Sequence, residues 1–307
     1  MEWILARWLT YAALALLAGA ACVGTLLAPR TADDDTLPRD CARLAVGAVL
    51  ALLPASLLRL VDQLSALQSP GDAPWTGLGA LLFSTTWGTG FTAQLALHGA
   101  AAASAWSAAR APRSRAAWGA LVASALALCA TPSLQGHAIA AEGKEWWAVA
   151  SDVLHVIGAS AWLGTIATVA WTTLAVRGDD VRADDPAFAA ERARRDARLL
   201  ALVAIVPPVA LAGAATLVAS GVSASLVHLT APRDLWASEW GRYLAVKTAL
   251  AAIVLALGAL NWRRLVPRAV ASRDPRALRR AIGAELAVAA LVLLVTALLV
   301  VTPPPGE

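Results

Sequence analysis

The amino-acid sequence predicts an all-α polytopic membrane protein, a bundle of about eight transmembrane helices with both termini on the outer side. Three observations carry this reading. Hydrophobic residues fill 59% of the 307 positions and charged ones only 15%, where a soluble domain carries about 25% charge. The charges are bunched, and between them run apolar stretches at 8–29, 73–109, 116–141, 153–176, 199–232 and 286–306, each long enough for the ~20 residues of a bilayer-crossing helix. Two shorter runs, 44–58 and 248–262, reach that length with Arg59 and Lys247 at their ends, the long side chains snorkelling outward. The runs are rich in Ala and Leu, good helix formers, and none alternates apolar and polar residues as a barrel strand does.

The first span covers 4–28. It is not read as a leader, because Glu2 offsets Arg7 and Gly19-Ala20-Ala21-Cys22 lacks the Leu of a lipoprotein box. The second covers 43–60. The stretch from Pro74 to Ala109 is longer than a bilayer requires, so Trp75 to Ser84 is expected to lie along the outer surface before the chain dives near Trp87 into a third span, 85–109. The fourth covers 116–137 and the fifth 147–176. The fifth would be roughly 45 Å long against a core of ~30 Å, so its outer turns protrude or tilt. Residues 178–198 read as a solvated loop and amphipathic lead-in to the sixth span, 199–227, which Pro207-Pro208 should kink near its start. Spans at 242–262 and 281–301 complete a single transmembrane domain, with no soluble domain expected.

Orientation follows from the basic residues. The loops 28–43, 110–115, 177–198 and 263–280 fall on one side and hold 19 of the 25 Lys and Arg residues, which places that side in the cytoplasm. Tryptophans mark the interfaces, Trp3, Trp8, Trp75, Trp146, Trp147, Trp236 and Trp240 outside and Trp106, Trp118, Trp171 and Trp262 inside, leaving Trp87 and Trp162 to be explained otherwise. The net charge of +4 is topological: no aromatic platform accompanies the arginines, so a nucleic-acid partner is not expected. Cys22, Cys41 and Cys129 are odd in number and have no C-x-x-C spacing, which argues against a disulfide framework or structural zinc.

All four histidines, His98, His137, His155 and His228, fall within or at the ends of apolar spans, where ionisable groups mark a pathway, relay or ligand site. Asp152 and His155, three residues apart, share a helix face near the outer end of span five, and Trp162 continues that stripe inward. Cys129, Ser133 and His137 repeat every four residues on span four, Gln94 and His98 form a third stripe, and Thr216, Ser220 and Ser223 a weaker one. Two imidazoles and a carboxylate suit Cu, Zn or Ni, while a single Met leaves no thioether ladder for Cu(I). Structural roles compete at each place. Asp152 and His155 could only anchor a helix end, His137 could cap span four, and His228 could sit at the interface. Lys247 could snorkel or pair with a carboxylate, and Glu285 could pair with Arg264 or bond Asn261.

The sequence resembles the copper resistance D (CopD) family of bacterial inner-membrane proteins. The resemblance rests on Gly136-His137-Ala138, on Asp152-Val153-Leu154-His155 with Ala161-Trp162-Leu163-Gly164, and on Ala219-Ser220-Gly221. It extends through Gly241-Arg242-Tyr243-Leu244-Ala245-Val246-Lys247, Leu260-Asn261-Trp262-Arg263-Arg264-Leu265-Val266-Pro267, Glu285, and the segment from Trp87 to Gln94. It implies copper handling at the inner membrane, described as movement from periplasm to cytoplasm, with a CopC-type periplasmic copper-binding protein as partner. The family's histidines correspond to His137 and His155, and its Lys, Asn and Glu to Lys247, Asn261 and Glu285. Where relatives often have a His in span one this chain reads Trp8-Leu9-Thr10-Tyr11, and His98 and His228 match no family position.

The reading that results is a copper permease, not an enzyme, in the inner (plasma) membrane. His137, His155 and Asp152 form its outer metal site; Gln94, Cys129, Ser133, Trp87 and Trp162 lie along the path, and Lys247, Asn261 and Glu285 support it. No nucleotide motif is present, so a gradient, the membrane potential or protons would drive the ion, Cu(I) or Cu(II). Two rivals stay open: a haem-binding electron-transfer bundle, and a protein that holds and delivers copper without passing it.

Overall fold

The structure, a computed structural model, describes residues 2–31, 36–135, 145–174, 186–229, 231 and 233–303. Among them there is no strand. The helices are α1 (Glu2–Cys22), α2 (Leu37–Ser65), α3 (Leu78–Ser84), α4 (Thr86–Arg110), α5 (Arg115–Ala130), α6 (Glu145–Ala159), α7 (Thr165–Leu174), α8 (Pro186–Ile205), α9 (Pro207–His228), α10 (Asp234–Ala237), α11 (Glu239–Leu260), α12 (Val266–Ser272) and α13 (Arg276–Val301). Seven helical paths are long and apolar enough to cross a membrane: Trp3–Arg30, Leu37–Ser65, Arg115–Gln135, Trp146–Thr173, Pro207–Leu226, Glu239–Ser272 and Arg276–Val301. The chain is an all-α, multi-pass membrane protein. The third expected span exists as the 25-residue α4, packed between α2 and α5, but it is not among the seven because Thr, Ser, Gln and His dilute its apolar residues.

α1 is the hub, packing on α2, α5, α7 and α13. Its Leu14 and Leu17, with Leu27 of the turn that follows it, are buried with Leu44 and Leu52 of α2 and Leu121 and Leu128 of α5. In lipid such contacts hold helices together through close packing rather than release of water, so small residues set how near the backbones come. Paths Trp3–Arg30 and Trp146–Thr173 are the most enclosed, and those of α9 and α11 the least.

Several helices break where the local chemistry requires it. Thr85 is extended between α3 and α4; its hydroxyl donates to the Leu81 carbonyl at 2.6 Å and accepts from the Gly88 N–H at 2.9 Å. A Cβ on Gly88 would lie 2.0 Å from the Leu81 carbonyl oxygen, so only glycine turns this corner, and the dive expected near Trp87 occurs here. Pro207 and Pro208 lack the N–H groups that would continue α8, and Val206 separates α8 from α9 as the Pro pair led one to expect. α5 stops at Ala130, earlier than the expected 137, because Pro132 has no N–H and Thr131 turns back to Leu128 through both its N–H and its hydroxyl.

Three π-helical turns, Val23–Leu27, Ser160–Gly164 and Asn261–Leu265, interrupt paths that the sequence reads as continuous helix. A π turn inserts a residue and rotates everything beyond it, and such turns gather at functional sites. The seventh path runs on through α12 to Ser272, past the expected end at 262.

At the arginine-rich end α8 is clamped to the bundle. The Arg198 guanidinium, its side chain 1% exposed, donates to Asp40 at 2.8 Å and to the Thr172 carbonyl at 3.1 Å, and reaches Thr36 as well. Arg279 pairs with Asp196, and Glu191 with Arg194 and Arg195. Of the tryptophans expected at the interfaces, Trp75, Trp106, Trp146, Trp147, Trp171, Trp236 and Trp262 are exposed. Trp118 and Trp240 are buried instead: Trp118 lies over Gly24 and donates to the Pro112 carbonyl at 2.8 Å.

Candidate functional site

Three groups of polar side chains lie inside the bundle. The first is at the arginine-poor end. Asp152 and His155 sit half-buried on α6, and the His155 ring turns toward α9, with its Nδ1 3.3 Å from the Ser220 hydroxyl. Gly221 makes room for it: a Cβ there would lie 3.1 Å from the ring's Cε1. One turn earlier, Ser151 donates to the Ser220 carbonyl at 3.0 Å, fixing α6 against α9. Lys247 of α11 is within electrostatic reach of both Asp152 and His155. Asp152 also acts on Tyr11 of α1, beside which Arg7 and Arg59 line a pocket with room for about one water.

His137 lies outside the described residues, and so does the side chain of His228, the last residue of α9. Among the described residues no three of His, Cys, Asp and Glu gather closely enough to hold a metal. The sequence reading treated Arg7 and Arg59 only as flanking charges. Arg59 does not snorkel, being 8% exposed and set between Arg7, Tyr11 and Asp62, so expected outer ligands share their end of the bundle with three cations. The signal for this was that the two arginines border the expected outer ends of consecutive apolar runs, 8–29 and 44–58.

The second group lies between α2, α4 and α5. Gln94 donates to the Ser56 hydroxyl at 2.9 Å and accepts from Gln135 at 2.8 Å, while the His98 Nδ1 is 2.6 Å from the carbonyl oxygen of Gln94. The His98 Nε2 is buried without a partner. Ser56 and Gln135 were not singled out from the sequence, although both are polar residues within apolar runs. Cys129 reaches Ser160 at 3.8 Å; the stripe expected from Cys129 through Ser133 to His137 is not one helix face, because α5 has ended before Ser133. Trp87 stacks on Phe91 with ring centroids 5.0 Å apart.

The third group is toward the arginine-rich end. Asn261, first residue of its π turn, donates from Nδ2 to the Glu285 Oε2 at 2.7 Å. Of the two partners open to Glu285 in the sequence it has taken Asn261, while Arg264 is exposed. Trp162, within the π turn Ser160–Gly164, meets Gly213 of α9 and packs beside Gly258 and Glu285. It lines a cavity of about 270 Å³ with Pro207, Ala210, Leu255, Asn261, Arg263 and Glu285.

Two family models match the chain, one described as copper resistance protein D over residues 207–299 and one as copper resistance protein D-like, N-terminal domain, over residues 1–146. The chain belongs to the copper resistance protein D family. It is thus a copper-resistance-related membrane protein, and the residues singled out in the sequence divide between the matches: Gln94, Cys129 and His137 in the first part, Ser220, Lys247, Asn261 and Glu285 in the last. Asp152, His155 and Trp162 lie in the stretch between the two matched regions, joined to the copper resistance protein D part by the packing of α6 on α9. No curated protein and no solved structure matches the chain.

Proposed function

We propose that this chain is a permease, not an enzyme, that carries copper across the bacterial inner (plasma) membrane from the periplasmic to the cytoplasmic side. The observation that carries this reading is the His155 imidazole, half-buried against Ser220 and Gly221 at the arginine-poor end, with Asp152 one turn away on the same helix. Membership of a copper resistance family supplies the metal, and the distribution of arginines puts this end outside. Neutral imidazole nitrogen and carboxylate oxygen suit borderline metal ions, so His155, Asp152 and His137 form the entry site, loaded by a CopC-type periplasmic protein. Copper is cargo here, in either oxidation state. Lys247 balances Asp152 until the metal arrives and opposes prolonged residence of a cation at His155. The ion then passes Ser160, Cys129 and Trp162 toward Asn261 and Glu285.

A second reading, a protein that holds copper and hands it on, is favoured by one observation: Gln94 is fully engaged by Ser56 and Gln135, which closes the route along α4. Copper uptake by proteoliposomes separates the two, with empty vesicles and the His137→Ala, His155→Ala double variant as controls. Protein-dependent accumulation lost in the variant supports the permease. Binding without accumulation replaces it with the holding protein, and unchanged binding by the variant removes the site.

A further inference from the structure

Glu285 is 2% exposed, in the half of the bundle that the arginines mark as inner, yet only one of its carboxyl oxygens is hydrogen-bonded. Its Oε2 accepts from Asn261, while Oε1 is buried without a partner, and so is the Asn261 Oδ1. Two orphaned acceptors on one hydrogen-bonded pair is a specific defect. An ionised carboxylate leaves it unrepaired, since neither oxygen can donate, and a buried charge with a single hydrogen bond is costly in apolar surroundings. One proton repairs both. A carboxylic acid can donate to an amide oxygen while its other oxygen accepts from the amide N–H, so a protonated Glu285 can face Asn261 with two reciprocal bonds.

The surroundings suit a proton and not a larger cation. Among the described residues Glu285 belongs to no group of three His, Cys, Asp or Glu side chains that could hold a metal. Gly258 keeps the approach open: a Cβ there would come within 3.1 Å of Oε1 and 3.6 Å of the Trp162 ring. Glu285 forms part of the wall of the 270 Å³ cavity between α9 and α11, whose only other charged lining group is Arg263, on the same π turn as Asn261. α7, α8, α9, α11 and α13 contribute no further charge to that wall.

We propose that Glu285 is a proton-binding site that exchanges with the arginine-rich side through this cavity, and that its proton is the ion coupled to copper movement. The coupling, unlike the proton site itself, rests on the permease reading. The step is a proton transfer alone: a hydronium ion at the arginine-rich side gives a proton to Oε1 and leaves as water, and Oε1 later returns the proton to water as hydronium, with no electrons moved. Protonation closes the pair with Asn261, and loss of the proton opens it, freeing the π turn and with it the position of Trp162 relative to α11.

Infrared difference spectroscopy of the purified protein at neutral pH tests the site without copper. A carboxylic acid C=O band present in the native protein, fading on alkalinisation and missing in Glu285→Gln, is the expected result; its absence from the native spectrum overturns the proposal. Should Glu285→Gln not fold, Asn261→Leu serves, because loss of the amide must shift the band, and an unshifted band overturns the pairing. In proteoliposomes with an internal pH dye, copper uptake should move protons in the native protein and not in Glu285→Gln, where uptake should also lose its dependence on pH. Uptake that stays pH-dependent in Glu285→Gln overturns the coupling. Absence of uptake by the native protein overturns the permease and the coupling together, while the infrared band still decides the proton site.

Discussion

Gly19 of α1 and Gly164, last residue of the π turn Ser160–Gly164, meet backbone to backbone: a Cβ on Gly19 would lie 2.1 Å from the Gly164 carbonyl oxygen, and one on Gly164 would lie 2.0 Å from the carbonyl oxygen of Ala15. No side chain can swing away to relieve such a clash, so the helices must part. Gly164→Ala should destabilise the bundle by about 1–3 kcal/mol, the usual cost of overpacking. The check is the thermal unfolding midpoint in detergent micelles. Gly99→Ala is the control: nothing lies within 4 Å of its Cβ, and it should leave the midpoint unchanged or raise it. Equal midpoints for the two variants would show that the crossing is not tight.

Gly221 bears on the metal through His155. A methyl group at 3.1 Å from Cε1 and 3.3 Å from Nδ1 is closer than the ring tolerates, so Gly221→Ala should tilt the imidazole away from Ser220. Groups that orient a ligand rather than bind metal typically change affinity by about 10- to 100-fold. Copper binding by purified Gly221→Ala should weaken by at least about tenfold with folding intact. Native affinity in this variant would mean that copper is held elsewhere.

Lys247 makes an opposite prediction for binding and for flux. Its ammonium acts on both Asp152 and His155, so it repels a cation at that place. Lys247→Met removes one like charge, worth about 1–3 kcal/mol at an effective dielectric near 20. Copper should bind about tenfold tighter or more, and uptake should slow because the ion leaves less readily. Weaker binding in Lys247→Met would make this lysine a support of the site and not its counter-charge.

The sequence made the helical bundle, the corner at Trp87 and the break at Pro207 legible because each depends on neighbours in the chain: apolar run length, a glycine at a turn, a missing N–H. The Asn261–Glu285 bond was legible as one of two options, since both residues lie near one end of adjacent spans. The aim of Trp162 was not. The sequence reads His155 to Trp162 as uninterrupted α-helix, and no local signal announced that Ser160–Gly164 would be a π turn or that Trp162 would lie beside Gly258 and Glu285. The end of α5 at Ala130 was missed for a different reason, because Pro132 was visible but was outweighed by the apolar run around it. Arg7 and Arg59 were counted correctly as arginine-poor-side charges, but a tally of charges by side carries no information on which of them face each other.

Acid should loosen the arginine-rich end at α8 before it affects the membrane-embedded helices. Hydrogen bonds from Arg194 hold the Glu191 carboxyl down at about 2; burial opposes them, and Arg195 adds to the lowering. A carboxylate with a depressed folded-state pKa stabilises the fold at every pH above its ordinary value of 4.5 and loses that contribution as pH falls toward about 2. Because the pair is more than a third exposed, solvent screening limits its worth to well under about 1 kcal/mol, enough to change local opening and not the fold. Amide hydrogen exchange in residues 186–198, corrected for the intrinsic pH dependence of exchange, should therefore be constant from pH 7 to pH 5 and accelerate below pH 4. Glu191→Gln should show that faster exchange already at pH 7 and no further acceleration through this range. Native exchange in Glu191→Gln at neutral pH would mean that the clamp of Arg198 on Asp40 holds α8 without help from Glu191.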